Sequence, residues 1–312
     1  MSGFISNGTL FYRVTRQTFS PLPFDGEIIQ ASLYNSDFFG VIDSDYHLWF
    51  GIGQRGITPQ LNPILPDIEF RAVSISTTLS AAIDTDGNIW CMGRITGIFF
   101  TDEFRKLTEG INFTSVAVYD DLCMALDDQG NLYGLGFLAE NGSPVTYRTF
   151  VRIRDNIKFI RSARFKLICV DNNDNLWLLN HDTSDNIMAP GQFYQITQDS
   201  WVKDATASSY DELYILSING DVYMLYDYRS KLNGAEPVNM IQIAQNIRQI
   251  DEYLYYSVLL LDVNGELFEH KPAHVQEAPT KLPGLTADFL LNQTNVIAGR
   301  RRFLRTKSAR NG

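Results

Sequence analysis

Cysteine is scarce in this sequence, and long hydrophobic runs are missing. Cys91, Cys123 and Cys169 are the only cysteines among 312 residues and show no paired spacing, which favours buried, reduced thiols over disulfides or a metal role. No run of about 18 apolar residues is present to span a bilayer, and the N-terminal residues lack the charged and apolar regions of a signal peptide. The composition therefore predicts an intracellular protein, cytoplasmic or nuclear, with no membrane contact.

Histidine is also rare, and no pattern indicates a catalytic or metal site. His270 and His274 are four residues apart, but Pro272 between them breaks the helix that would place both on one face. The segment 84–88 resembles the start of a calcium-binding loop, yet the twelfth position holds Ile95 where glutamate is needed. The Gly-x-x-x-x-Gly-Lys phosphate loop is absent. We therefore predict no catalytic residue, no metal, no cofactor and no enzymatic activity.

What the sequence does contain is one short motif repeated seven times. Each copy is a turn between two apolar runs, and the second run carries an aromatic residue at a fixed offset. These aromatics lie 38 to 46 residues apart, at Phe11, Trp49, Trp90, Tyr133, Trp177, Tyr223 and Phe268. Such a period is typical of propeller or solenoid units. We expect the motif aromatics to fill the gaps between neighbouring sheets rather than to form a ligand cage.

Each copy predicts a β-hairpin, because Asp-Gly, Asn-Gly and Asn-Asp turns tolerate the positive φ angles that a tight hairpin needs. A third apolar run precedes each hairpin, as at Phe70–Ile75, and a more polar fourth run precedes that one, as at residues 145–151. The sequence therefore predicts four strands per unit. Sheets of this size must pack face to face, and radial closure removes the exposed ends of the stack.

The two ends of the chain predict that the ring closes. Residues 1–11 contain the second half of a hairpin, whereas the last upstream strand, residues 287–291, is followed by no turn. Each end then supplies the half-blade that the other lacks. We predict an all-β fold: a seven-bladed β-propeller of four-stranded antiparallel blades over residues 1–299, closed by pairing the N- and C-terminal strands in one blade, followed by a basic tail at residues 300–312.

The best copies of the motif carry a further signature. Residues 82–93 read Ala-Ile-Asp-Thr-Asp-Gly-Asn-Ile-Trp-Cys-Met-Gly, and residues 125–136 match this pattern nearly as well. This order of apolar strand, turn, aromatic and glycine resembles the repeats of the regulator of chromosome condensation family, in degenerate copies over nearly the whole chain. The resemblance implies a seven-bladed propeller that acts as an exchange factor for small GTPases, as a chromatin-binding module or as a scaffold.

The loop before each hairpin supplies the candidate binding residues. Equivalent loops of a propeller emerge on one face, so their polar side chains would line one rim and contact a protein partner. Four copies contribute such residues, which are Asp37, Asp120, Asp121, Arg164, Asp211 and Glu212. The alternative is that polar residues simply occupy exposed loops.

Charge is divided unevenly along the chain. The sequence has 26 basic and 36 acidic residues, a formal net charge of −10. An acidic ring repels polyanions, so nucleic acid would bind only through the tail. The tail is either a solvated end or a contact for nucleic acid, an acidic partner or nuclear targeting. Its candidate contact residues are Arg300, Arg301, Arg302, Arg305 and Lys307.

These observations predict a non-enzymatic scaffold that binds a protein partner through one propeller rim. Two alternatives stay open. One is a guanine-nucleotide exchange factor for a small GTPase, and the other is a structural component of a large assembly, such as a viral particle.

Overall fold

The structure is a computed structural model. It describes residues 3–14, 18–34, 38–54, 57–140, 143–163, 166–180, 192–197, 201–208, 212–226, 228, 239–253, 257–271 and 277–291. Within these ranges, no helix has the length and apolar character needed to cross a bilayer.

The strands of the described residues form seven four-stranded antiparallel sheets, the blades. Blade 1 contains β1 (Gly3–Ser6), β2 (Thr9–Arg13) and β3 (Phe19–Pro21); blade 2 contains β4 (Ile28–Tyr34), β5 (Phe38–Asp43), β6 (Leu48–Gln54) and β7 (Ile57–Ile64). Blade 3 contains β8 (Phe70–Ile75), β9 (Leu79–Asp84), β10 (Ile89–Ile95) and β11 (Phe99–Lys106); blade 4 contains β12 (Phe113–Tyr119), β13 (Leu122–Asp127), β14 (Leu132–Glu140) and β15 (Ser143–Arg154).

Blade 5 contains β16 (Ile157–Ala163), β17 (Lys166–Asp171), β18 (Leu176–Asn180) and β19 (Phe193–Gln195); blade 6 contains β20 (Val202–Ala207), β21 (Leu213–Ser217), β22 (Val222–Tyr226) and β23 (Asn239–Ala244). Blade 7 contains β24 (Ile247–Tyr253), β25 (Ser257–Asp262), β26 (Glu266–His270) and β27 (Thr280–Thr286), and β28 (Phe289–Leu290) returns to blade 1.

The blades are arranged as a closed ring around their first strands. The inner strands β4, β8, β12, β16, β20, β24 and β28 contact one another in that order, and β1 and β2 contact β4. At each junction, an amide at or just before the start of an inner strand donates a hydrogen bond to a carbonyl in the turn of the preceding blade. The series runs from Ile28 N to Gly8 O, 2.8 Å, round to Ala287 N to Gly265 O, 2.9 Å. The predicted seven-bladed propeller is confirmed.

Blade 1 joins the two ends of the described chain, as predicted, but the two ends contribute different numbers of strands from those expected. Phe4 pairs with Leu290 and Ile5 pairs with Phe289. However, β1 precedes the first turn and pairs with β2. The expectation that residues 1–11 contain only the second half of a hairpin was therefore wrong: the N-terminal segment supplies three strands of this blade and β28 supplies one. The segment reads Gly-Phe-Ile-Ser, which shows no alternation of apolar and polar residues, so the sequence pattern did not indicate its strand.

Buried apolar side chains form one cluster at each junction. Phe70 and Val73 of blade 3 pack with Ile42 of blade 2, and Phe4 of blade 1 packs with Leu259 of blade 7. Seven such clusters follow one another around the described residues, and each includes one motif aromatic, partly buried. Burial of such a ring contributes about 1.5 to 3 kcal/mol. The prediction that the motif aromatics fill the gaps between blades is confirmed.

The first aspartate of the motif holds the hairpin turn through its carboxylate. Asp171 Oδ1 accepts hydrogen bonds from the amides of Asn173 and Asn175, each at 2.9 Å. Its Oδ2 accepts from Trp177 Nε1 at 3.0 Å. Asp43 and Asp84 bind their tryptophans in the same way. One carboxylate therefore closes the turn and fixes the orientation of the motif aromatic.

The glycine that ends the best motif copies is required by a close approach between strands. Gly136 has φ +109°, and a Cβ atom there would lie 2.0 Å from the carbonyl oxygen of Asp121. Gly93 occupies the same position in blade 3, where a Cβ atom would lie 2.2 Å from Thr78 O. Both glycines let the third strand pass the turn that joins the first two strands.

Candidate partner-binding site

The two faces of the ring carry different sets of turns. Because the inner strands run side by side in the same direction, the turns that join first and second strands emerge together on one face, here called the upper face. The motif turns and the connections between blades emerge on the opposite, lower face. Asp120 and Asp121 form the turn between β12 and β13, so they lie on the upper face as predicted from the loop position.

The structure places Asp120 and Asp121 side by side in one turn, and it links Asp120 to the neighbouring blade. Asp120 has φ +42° and its Oδ1 accepts a hydrogen bond from Thr77 Oγ1 of blade 3 at 3.0 Å. Asp121 Oδ1 is buried and has no hydrogen-bond partner among the described residues. Both side chains are only half exposed. This part of the upper face thus carries two adjacent carboxylates, of which that of Asp120 is held by a hydrogen bond from the neighbouring blade.

Glu212 lies at the corresponding turn of blade 6, two blades from Asp120. Its carboxylate accepts a hydrogen bond from Ser208 Oγ, and its carbonyl accepts one from the Ser208 amide at 3.1 Å. The remaining candidates lie outside the described residues: Asp37, Arg164, Asp211, and the tail residues Arg300, Arg301, Arg302, Arg305 and Lys307.

A buried charged cluster that the sequence reasoning missed lies at the centre of the ring. Arg161 of β16 is only 1% exposed; its Nη2 lies 3.0 Å from Asp204 Oδ2 on β20. Its Nη1 donates to Ile250 O at 2.9 Å and lies 4.0 Å from Asp251 Oδ1, both on β24. The guanidinium therefore links the inner strands of blades 5, 6 and 7.

The two carboxyl groups of this cluster share one cation. Burial raises the pKa of Asp204 and raises that of Asp251 well above its ordinary value, whereas the Arg161 guanidinium acts in the opposite direction at both. A signal for the cluster was present in the sequence only in part: Arg161 follows the apolar residues Phe159 and Ile160, whereas Asp204 and Asp251 lie in runs that contain other polar residues. Charged side chains are almost never fully buried unless they are paired. A charged residue in a buried inner strand therefore predicts an ion pair with another buried charge.

Two arginines on the lower face connect inner strands across junctions. Arg248 Nη2 donates to Ala287 O at 3.0 Å and to Asp288 O at 2.9 Å. Arg71 holds the equivalent position in blade 3 and donates to Phe113 O of blade 4. Both follow the first residue of an inner strand, so these cations are part of the ring rather than a free basic surface.

Two histidines and three cysteines lie among the described residues. His47 lies beside a motif turn, with its Nδ1 3.5 Å from Asp43 Oδ2. His270 is buried, with Nδ1 3.0 Å from Tyr214 Oη. Cys91, Cys123 and Cys169 are buried and unpaired in disulfides, and burial raises the pKa of Cys169 to about 12. No group of three or more metal-binding side chains occurs among the residues that the structure describes. His181 and His274 lie outside them.

These features define a seven-bladed β-propeller of four-stranded antiparallel blades. The crystal structure of human WBSCR16 is similar to this chain, with 12% sequence identity and a TM-score of 0.66. The matched region covers 90% of this chain and 92% of WBSCR16. Yeast RCC1 (Prp20), solved with Kap60, is 12% identical with a TM-score of 0.67, covering 86% and 78%. YCF48 bound to a D1 peptide is 10% identical with a TM-score of 0.52, covering 83% of each chain. These likenesses show the fold. No family model and no curated protein sequence matches this chain.

Proposed function

We propose that this chain is a scaffold of the regulator of chromosome condensation type, without enzymatic activity, that binds a protein partner through the upper face. The observation that carries the proposal is the placement of Asp120 and Asp121 on one upper-face turn, with Glu212 on another turn of the same face. Carboxylates on one face complement a partner that presents lysine or arginine side chains.

Similar propellers support a protein partner. Prp20 has been solved bound to Kap60 and has been studied for its binding to Gsp1p and histones, and YCF48 has been solved bound to a D1 peptide. The net charge of −10 further favours association with basic polypeptides. An intracellular location fits this role and is part of the proposal.

Affinity capture with matched variants tests the proposal. The full chain is immobilised, exposed to an extract of the producing cells, and the bound proteins are identified by mass spectrometry. The upper-face variant is Asp120→Asn with Glu212→Gln. The control is Asp45→Asn with Asp86→Asn, which removes the same number of charges from exposed lower-face turns.

We expect wild type and the lower-face control to retain the same partner, and the upper-face variant to retain at most about one tenth of it, because rim charges act mainly on association. Equal capture by both variants would remove the upper face as the binding site. A captured small GTPase whose nucleotide release the chain accelerates would instead support the exchange-factor alternative.

A further inference from the structure

A cavity of 270 Å³ opens at the junction of blades 6 and 7. It lies on the lower face, between the connection that enters blade 7 and the motif turn of that blade. Its apolar wall consists of Ile243, Ile247, Leu260 and Phe268, and Asp262 and Asn246 add polar groups. Val263, 59% exposed, stands at the motif turn beside it.

Five other junctions fill the equivalent space with a flat side chain of the protein itself. There the motif aromatic packs against a residue from the incoming connection or from the start of the inner strand. The ring centroids are 5.2 Å apart for Phe24 and Trp49, 6.1 Å for Phe70 and Trp90, 5.3 Å for Phe113 and Tyr133, and 5.2 Å for Trp201 and Tyr223. At blade 5, Arg154 Cζ lies 3.6 Å from the ring centroid of Trp177.

Blade 7 has no such side chain to offer. Its incoming segment reads Ile-Ala-Gln-Asn-Ile over residues 243–247, with neither an aromatic ring nor a guanidinium. The motif aromatic, Phe268, therefore borders the cavity. The internal copies indicate what fits this space: a flat, polarisable group that stacks on or meets the edge of an aromatic ring.

Asp262 indicates a further requirement for the occupant. In blades 2, 3 and 5, the equivalent Oδ2 atoms accept hydrogen bonds from tryptophan Nε1 at 2.7, 2.8 and 3.0 Å. Phe268 has no N–H, and Asp262 Oδ2 accepts from Asn264 Nδ2 at 3.2 Å. A carboxylate oxygen has room for a second donor. The cavity thus combines an apolar wall with an acceptor that elsewhere in the ring binds an indole.

We propose that this lower-face cavity receives the tryptophan side chain of a partner polypeptide. A second cavity of 230 Å³ lies on the other side of Val263 and is lined by polar residues, including Asn7, Arg248 and Asp288. A polypeptide that crosses the Val263 turn would place its indole in the first cavity and its backbone against the second. The inference rests on the proposed function only in taking a polypeptide as the occupant.

Fluorine NMR with N-acetyl-5-fluorotryptophanamide tests the site on the full chain. We expect saturable binding with a dissociation constant of about 1 mM, in the range open to a ligand of this size. N-acetyl-leucinamide, which lacks the flat ring and the donor, should not displace it. Binding of free 5-fluoroindole without binding of the tryptophan amide would overturn the proposal, since the site would then accept a small molecule but not a polypeptide side chain.

Two sets of variants locate the binding. Ile247→Phe places a phenylalanine at the position that Phe70 and Phe113 hold in blades 3 and 4, so it should fill the cavity and weaken the probe at least about tenfold. Val263→Asp should weaken the probe about fivefold through desolvation of a charge at the mouth. Its matched control, Ile218→Asp, changes the same motif position in blade 6, where the side chain is 55% exposed, and should leave binding unchanged.

Unchanged probe affinity in Ile247→Phe or in Val263→Asp would overturn the proposal. If Ile247→Phe does not fold, the pair Val263→Asp and Ile218→Asp, each checked by circular dichroism, decides the question. The variant Asp120→Asn with Glu212→Gln should bind the probe as wild type does. Loss of partner capture with intact probe binding, or the reverse, therefore separates failure of the upper-face site from failure of this one.

Discussion

Replacing Arg161 by methionine tests the charged cluster that links blades 5, 6 and 7. Methionine keeps an unbranched chain of similar length but removes the cation from between Asp204 and Asp251. At an effective dielectric constant of about 20, the attractions over 3.0 and 4.0 Å amount to roughly 5 and 4 kcal/mol before desolvation. Desolvation offsets most of this, and breaking a buried pair typically costs about 3 to 5 kcal/mol. We expect a loss of about 4 kcal/mol at pH 8.

The loss should depend on pH in a defined direction. Burial raises the pKa of Asp204 and of Asp251, and replacing Arg161 removes the largest of the effects that oppose that rise. A carboxyl group whose pKa is raised in the folded state contributes stability below its unfolded pKa and loses it as the pH rises through the folded value. The variant should therefore regain stability relative to wild type between pH 8 and pH 5.

Guanidinium unfolding followed by tryptophan fluorescence at pH 5, 6.5 and 8 measures both effects. A control variant, Arg161→Met with Asp204→Asn and Asp251→Asn, removes all three charges and should recover at least half of the loss, because a neutral replacement of a buried ion pair is often tolerated. A loss below about 1 kcal/mol, as for an exposed pair, or a loss that is the same at every pH, would refute this reasoning.

Two further predictions concern the turns. Gly136→Ala should lower the free energy of unfolding by at least about 3 kcal/mol, because it adds a close contact with Asp121 O to the strain of a positive φ. The control Gly97→Ala is also at positive φ but has nothing within 4 Å, so it should cost about 1 kcal/mol. Similar losses for the two variants in thermal unfolding would contradict this prediction. Burial acts to raise the pKa of Asp84, but hydrogen bonds from Trp90 and Asn88 bring it below its ordinary value. The ionised Asp84 carboxylate therefore stabilises the fold at neutral pH, and this effect is lost as the pH falls through the folded-state pKa. Asp84→Asn should cost about 1 to 2 kcal/mol of unfolding free energy at pH 7 and progressively less towards pH 3. An equal cost at both pH values would count against this prediction.

The fold could be predicted because its cause is local and repeated. The motif turn at 84–88 needs only its own residues: the Asp84 carboxylate, a glycine at φ +88° and the following tryptophan. Seven copies of this turn determine the spacing of the blades along the chain. Burial of both faces of every blade then requires the blades to close into a ring. The first strand, Gly3–Ser6, escaped recognition because it is short and its identity depends on its pairing with β28.

The candidate sites were less accessible to sequence reasoning because they depend on contacts between blades. Arg161 and Asp204 are 43 residues apart, and only the packing of blade 5 against blade 6 brings their side chains together. The lower-face cavity becomes recognisable only when the junctions are compared. Ile247 stands at the position that the larger Phe70 and Phe113 occupy in blades 3 and 4. The loop position did predict the face on which Asp120 and Asp121 lie, while their role as partner contacts stays a prediction.

The ring itself is tested most directly by joining its two closing strands. Ile5 and Phe289 are paired on neighbouring antiparallel strands, where Cα atoms lie about 4.5 to 5.5 Å apart, within reach of a disulfide. The variant Ile5→Cys with Phe289→Cys should form this bond on mild oxidation in the native monomer, as detected by peptide mass spectrometry. Cysteines that stay reduced in the folded protein, or that join only separate molecules, would contradict a propeller closed by β1 and β28.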